Sequence, residues 1–206
     1  MRRLISAALA LGLLAAIGYS GARLWALDEE IKAERRLHAE LLRHKPEPAN
    51  GNPLARLREQ NPDVVGWITV PYTNIDHPIV QAKDNAYYLR RDLNGNDAKP
   101  GTIFMDYRCE KDGSGYSIIY GHNMKSGAMF GTLGRFEDKA FFDTHPRGQI
   151  LFEDGWHTIQ FFAFQIVREN DSAIYSVPEN AGRIVALSTC SYAFQGARMV
   201  LLGKVI

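Results

Sequence analysis

Eight short runs of β-branched and aromatic residues, each stopped by a cluster of Gly, Pro, Asn or Asp, constrain the fold of this chain more than any other feature. They lie at residues 65–70, 75–80, 102–105, 116–120, 149–152, 158–167, 183–187 and 199–206. Their length and composition suit strands, and turn clusters such as Leu93-Asn94-Gly95-Asn96-Asp97 separate them. Eight strands with only a few short helical stretches predict a mainly β domain closed as a small barrel. One helical turn is expected at Asp84-Asn85-Ala86-Tyr87-Tyr88-Leu89, with Asp84 as its cap.

The first 60 residues read differently. Met1-Arg2-Arg3 precedes a stretch without charge at 4–22, long enough as a helix to span roughly 28 Å. Two arginines before it and Asp28-Glu29-Glu30 after it predict a cytoplasmic N-terminus and an extracellular body on a single-pass anchor. The competing reading is a cleaved signal peptide ending at Ser20-Gly21-Ala22. The length of the run, and its extension past Arg23 through Leu24-Trp25-Ala26-Leu27, favour the anchor. Residues 28–44 are charge-rich with a thin apolar stripe, as in an amphipathic stalk helix. The proline- and asparagine-rich segment at 45–53 breaks it. Asn52 then caps a short helix with Pro53 at its first position, running to about Gln60. The expected division is 1–27 as tip and anchor, 28–60 as stalk and N-terminal helices, and 61–206 as the barrel.

The chemistry-bearing residues stand at predicted strand ends. Cys190, in Leu187-Ser188-Thr189-Cys190-Ser191-Tyr192, follows the run at 183–187. Arg198 opens the last run, and His122, in Gly121-His122-Asn123-Met124, follows the run at 116–120. A thiolate can attack an amide carbonyl, an imidazole can protonate the leaving amine, and a guanidinium can hold the oxyanion. Singly, each has an ordinary explanation: a small buried hydrophobe, a turn residue, a solvated cation. Six histidines and two cysteines are too few, and wrongly spaced, for a zinc framework. A net charge of +1 gives no nucleic-acid signal, and 46% hydrophobic residues support a sizeable core. A Cys109–Cys190 disulfide would silence the thiol, so two free thiols are expected.

In this order the motifs resemble the sortases, membrane-anchored cysteine transpeptidases of Gram-positive bacteria, and class B most closely. The resemblance rests on Leu187-Ser188-Thr189-Cys190 and on Tyr116-Ser117-Ile118-Ile119-Tyr120-Gly121-His122-Asn123-Met124. It rests also on Trp67-Ile68-Thr69-Val70, on Thr73-Asn74-Ile75-Asp76-His77-Pro78-Ile79-Val80-Gln81, on Phe141-Phe142 before His145-Pro146, and on Ala197-Arg198. It implies a sortase-type barrel with Cys190 as nucleophile, His122 as general acid/base and Arg198 as oxyanion and substrate clamp. It implies substrate contacts from Ser188, Thr189, Asn85 and Leu89; for Asn85, a plain turn or cap role is as well supported.

The implied substrates are surface proteins or pilins bearing a C-terminal sorting signal. The implied acceptor is an amine on a peptidoglycan cross-bridge or a pilin lysine, which the sequence does not separate. Two departures stand out. Tyr192 occupies a position where some class B enzymes carry an acidic residue, so no third, carboxylate member is supported there. The 168–182 segment looks too short for the helix that class B enzymes usually insert, and it is expected to form part of the specificity wall. The alternative functions are a membrane-anchored cysteine hydrolase with water as acceptor, and a tethered binding module without turnover. No cofactor or metal is expected, since no acidic cluster suits calcium.

Overall fold

The computed structural model describes residues 2–47, 54–171 and 182–206. The chain divides into two compact units, Met1–Ala39 and Glu40–Ile206. Helix α1, Arg2–Leu42, supplies the first and runs unbroken through the expected anchor–stalk boundary. Its span Leu9–Leu42 is long and apolar enough to cross a membrane. Leu11, Leu14, Ile17 and Trp25 are all exposed on it.

The second unit is a closed barrel. Its strands are β1 (Val64–Val70), β2 (Ile75–Val80), β3 (Phe104–Met105), β4 (Tyr116–Tyr120), β5 (Arg147–Phe152), β6 (Gly155–Arg168), β7 (Ile184–Cys190) and β8 (Ala197–Val205). The order round the barrel is β1-β2-β3-β4-β7-β8-β6-β5, and β5 pairs back onto β1. Pairs β2–β3 and β4–β7 are parallel; the rest are antiparallel. Closure gives each of these strands a partner on both sides.

Side-chain alternation divides the apolar residues into two clusters. One draws on every strand and therefore fills the barrel, with Ile68, Ile79, Met105, Ile119, Ile150, Phe161, Leu187 and Leu201 among its members. The other lies on the outer faces of the strands, where Trp67, Ile118, Ala186 and Val200 meet Leu54, Leu57 of α2 (Ala55–Gln60) and Tyr88. A third helix, α3 (Lys139–Thr144), is capped by Asp138, whose carboxylate accepts the N–H groups of Ala140 and Phe141.

The expected strands appear with shifted ends. β3 keeps only two residues of 102–105, because Thr102 bonds elsewhere: its N–H donates to Tyr88 O and its hydroxyl to Arg91 O. β7 continues through Ser188, Thr189 and Cys190, because β8 pairs with all three. Cys190 is thus the last residue of a strand, not a residue past it. The expected turn near Asp84 is a 3-10 turn at Tyr87–Arg90. Asp84 Oδ1 accepts the N–H groups of Ala86 and Tyr87, each at 2.8 Å, and so starts it. The Asn52 cap and Pro53 lie outside the described residues, as does most of the 168–182 segment.

Candidate active site

The outer face of four neighbouring strands, β3-β4-β7-β8, carries the site. Phe104 pairs with Tyr120, Tyr120 with Ser188, and Ser188 with Val200, a continuous cross-strand row. Two residues along, Cys190 pairs with Arg198. Directly opposed residues of an antiparallel pair point to the same face with Cβ atoms about 5 Å apart. The strand periodicity therefore puts thiol and guanidinium side by side above this row. The 3-10 turn and the segment before it supply the facing wall through Asn85 and Leu89. The resulting cleft, of about 280 Å³, is lined by Asn85, Leu89, Arg108, Tyr120, His122, Ser188, Cys190 and Arg198, with Phe104 and Gly121.

Each expected chemical group has a defined environment. Cys190 is exposed and Cys109 is half-buried; both are free thiols. Burial pushes the Cys109 thiol pKa up, and its sulfur accepts the Ile118 N–H, so it is a packing residue. The His122 ring Nε2 lies 2.7 Å from Leu89 O. A carbonyl only accepts, so Nε2 carries the proton of that bond and Nδ1 is the second site. Asn123, next in sequence, donates its amide N–H to Cys190 O at 2.8 Å and ties the His122 segment to the end of β7. The Arg198 guanidinium lies 5.9 Å from the Tyr120 ring centroid and, among the described residues, has no carboxylate partner.

Of the residues implied as substrate contacts, Ser188, Asn85 and Leu89 line the cleft and Thr189 does not. Thr189 alternates with Ser188 onto the side of Leu187 and Met199, which face the barrel interior. Ser188 is fully buried, and its hydroxyl has no hydrogen-bond partner among the described residues.

Sequence reasoning passed over Phe104, Asp106, Arg108 and Tyr120. Tyr120 is the outward residue of β4 one step after the buried Ile119, so strand alternation was its available signal. Asp106 is fully buried and accepts Arg108 Nε–H at 2.8 Å and Nη2–H at 2.7 Å. Burial opposes its charge, but bonds from the Arg108 side chain and N–H and from Asn85 outweigh this and hold its pKa at about 2. The same carboxylate drives the Arg108 pKa upward. Tyr192, well exposed, leaves the Leu89 carbonyl rather than a carboxylate as the observed partner of the His122 ring. Among the described residues no group of three His, Cys, Asp or Glu is placed to hold a metal ion.

Comparison with known proteins fits this geometry. A sortase domain family model matches residues 68–206. The chain is 33% identical to sortase B of Listeria monocytogenes, over 74% of this chain and 74% of that protein. A crystal structure of sortase B from Bacillus anthracis superposes with a TM-score of 0.74 at 30% identity, covering 86% of this chain and 98% of that one. A class B sortase of Streptococcus pyogenes involved in pilus biogenesis gives a TM-score of 0.67 at 29% identity, covering 74% of this chain and 97% of that one.

Proposed function

The chain belongs to the sortase family as a class B cysteine transpeptidase, and we propose that Cys190, His122 and Arg198 carry its chemistry on proteins bearing a C-terminal sorting signal. The observation that carries this reading is the Cys190–Arg198 pair across β7–β8, in one cleft with His122. The Cys190 thiolate attacks the carbonyl carbon of the scissile amide, and the carbonyl oxygen becomes an oxyanion. Arg198 offers a planar fork of N–H donors to that oxygen. Collapse breaks the C–N bond, and the leaving amine takes a proton from His122, leaving a thioester on Cys190. An incoming amine then attacks the thioester, gives its proton to His122 and releases the thiolate.

The Leu89 carbonyl, by holding Nε2–H, leaves Nδ1 as the nitrogen that gains and loses the proton. The unpartnered Ser188 hydroxyl offers a bond to the peptide, which would recover a desolvation cost of about 1–3 kcal/mol. Asn85 and Leu89 form the opposite wall. Thr189 serves by packing under the strand end.

The helix α1 anchors the enzyme in the cell membrane, with Arg2 and Arg3 on the cytoplasmic side and the barrel outside. Residues 1–27 act as tip and anchor, 28–60 as stalk and N-terminal helices, and 61–206 as the catalytic barrel. The acceptor is an amine of a peptidoglycan cross-bridge or of a pilin lysine.

Mass spectrometry of the chain in detergent with a panel of sorting-signal peptides tests this. Each peptide is run alone, with hydroxylamine, with a glycine-type amine and with a lysine-type amine, beside Cys190→Ala. A Cys190-dependent acyl adduct that passes to an amine is expected, and the better amine identifies the acceptor class. Hydrolysed acid as the sole product in the presence of every amine would replace transfer by hydrolysis.

A further inference from the structure

One buried carboxylate gathers three of the cleft's polar side chains. Asp106 follows β3 and is 0% exposed. Its Oδ1 accepts the Arg108 backbone N–H at 3.0 Å and Arg108 Nε–H at 2.8 Å. Its Oδ2 accepts Arg108 Nη2–H at 2.7 Å, Asn85 Nδ2–H at 2.9 Å and the Tyr120 hydroxyl at 3.1 Å. Asn85, Arg108 and Tyr120 all line the cleft. The face of the Tyr120 ring in turn carries the Arg198 guanidinium.

A buried charge is costly, and the bonds that offset that cost need not run to a cleft. A turn at 106–108 would need only the bond from the Arg108 N–H. The other four bonds run to side chains that face the cleft, and none reaches the barrel interior. Asn85 is held at both ends, since its Oδ1 accepts the Tyr107 N–H at 3.1 Å. Asp106 also neutralises Arg108, so the wall they form is a set of donors without net charge, suited to neutral peptide oxygens. Arg198, with no carboxylate partner among the described residues, keeps its charge for the thiol side of the cleft.

We infer that Asp106 is the positioning residue of this cleft: through the Tyr120 hydroxyl it fixes the ring against which Arg198 rests, and through Asn85 and Arg108 it fixes the substrate wall. The wall half of this inference rests on the transpeptidase reading; the Arg198 half does not, and the experiment is chosen on it.

Cys190 in the full chain, in detergent micelles, is alkylated with iodoacetate and separately with iodoacetamide, and the rate is read by mass spectrometry on the peptide containing Cys190. A guanidinium beside the thiol attracts the anionic reagent, so the iodoacetate-to-iodoacetamide rate ratio reports where Arg198 stands. Arg198→Gln sets the floor of the ratio, about threefold below the unaltered chain. Asp106→Asn removes a negative charge and by Coulomb attraction alone would raise the ratio. Positioning predicts the reverse, a fall towards the floor. Tyr120→Phe, neutral and with its ring intact, is expected to fall as far, and the double variant no further than either alone.

Thermal melts of each variant identify any that fails to fold, and Tyr120→Phe carries the test if Asp106→Asn does. An unchanged or raised ratio in folded Asp106→Asn or Tyr120→Phe overturns the inference, and so does an Arg198→Gln ratio equal to that of the unaltered chain. No sorting peptide enters the assay, so a chain inert on every peptide would sink the transpeptidase reading and leave this ratio to decide the positioning role.

Discussion

Cys190 and Arg198 face each other across the β7–β8 ladder, the last pair before the strands part at the Ser191–Gly196 loop. A thiol and a guanidinium held by backbone pairing need no loop ordering to come together. The geometry is thus set by the same hydrogen bonds that close the barrel.

Arg198→Lys keeps the charge and loses the fork. Because a single ammonium cannot place two donors on one developing oxyanion, kcat/KM for a sorting peptide is expected to fall roughly 10²-fold or more. Steady-state kinetics with an unshifted thermal melt checks this. Turnover near that of the unaltered enzyme would remove the clamp role.

His122→Ala leaves the thiol and guanidinium in place but removes the proposed proton carrier. Peptide turnover is expected to drop about 10²–10⁴-fold. Iodoacetamide should still label Cys190, since alkylation expels no amine. If turnover survives, another group moves the proton.

Much of this site was legible because it follows strand ends. Ile184, Val185, Ala186 and Leu187 read as a buried strand, and so Cys190 and Arg198 fell at one rim of the sheet. The fold was equally legible, since all eight apolar runs became strands. Thr189 shows the limit of a contact carried over by resemblance, because alternation turns it towards Met199 and away from the cleft. Asp106 and Arg108 were hidden for a different reason. They follow a two-residue strand in a polar stretch, and only folding brings them to Asn85, 21 residues earlier, and Tyr120, 14 residues later. The pairing of β4 with β7 is parallel and joins segments about 68 residues apart, which no local pattern announces.

Chelation should leave turnover unaltered, because the proposed chemistry uses only a thiol, an imidazole and a guanidinium. Assays in EDTA and in added calcium check it. Loss of activity in EDTA, restored by calcium, would call for a metal site.

Asp106 also makes the chain sensitive to acid. Its pKa is held at about 2 in the fold against an ordinary 3.8. A depressed carboxylate contributes stability that is full above the unfolded value and is lost as pH falls through the folded one. The contribution is about 2 kcal/mol near neutrality and disappears between about pH 4 and pH 2. Urea unfolding of the unaltered chain and of Asp106→Asn at pH 6, 4 and 2.5 is expected to show a stability difference that narrows over that window. A difference independent of pH would mean that the ionised carboxylate contributes no net stability.

Gly101 joins packing to chemistry. Its φ of +63° favours glycine, and a Cβ there would lie 2.5 Å from Tyr88 O and 2.6 Å from Leu89 O. Leu89 O is the atom that holds the His122 ring, so a methyl group at Gly101 pushes on the backbone that orients the imidazole. Gly115 provides a control, since its φ of +69° imposes similar strain while its Cβ position meets nothing within 4 Å. Both Gly101→Ala and Gly115→Ala should lose about 1–3 kcal/mol of stability through backbone strain, which differential scanning calorimetry reads as a fall in Tm of several degrees. Only Gly101→Ala should also lower kcat/KM, by about tenfold or more, since a displacement of about 1 Å in a positioning group can cost up to 10². Equal kcat/KM in the two variants would show that the Leu89 carbonyl holds His122 without directing its proton transfer.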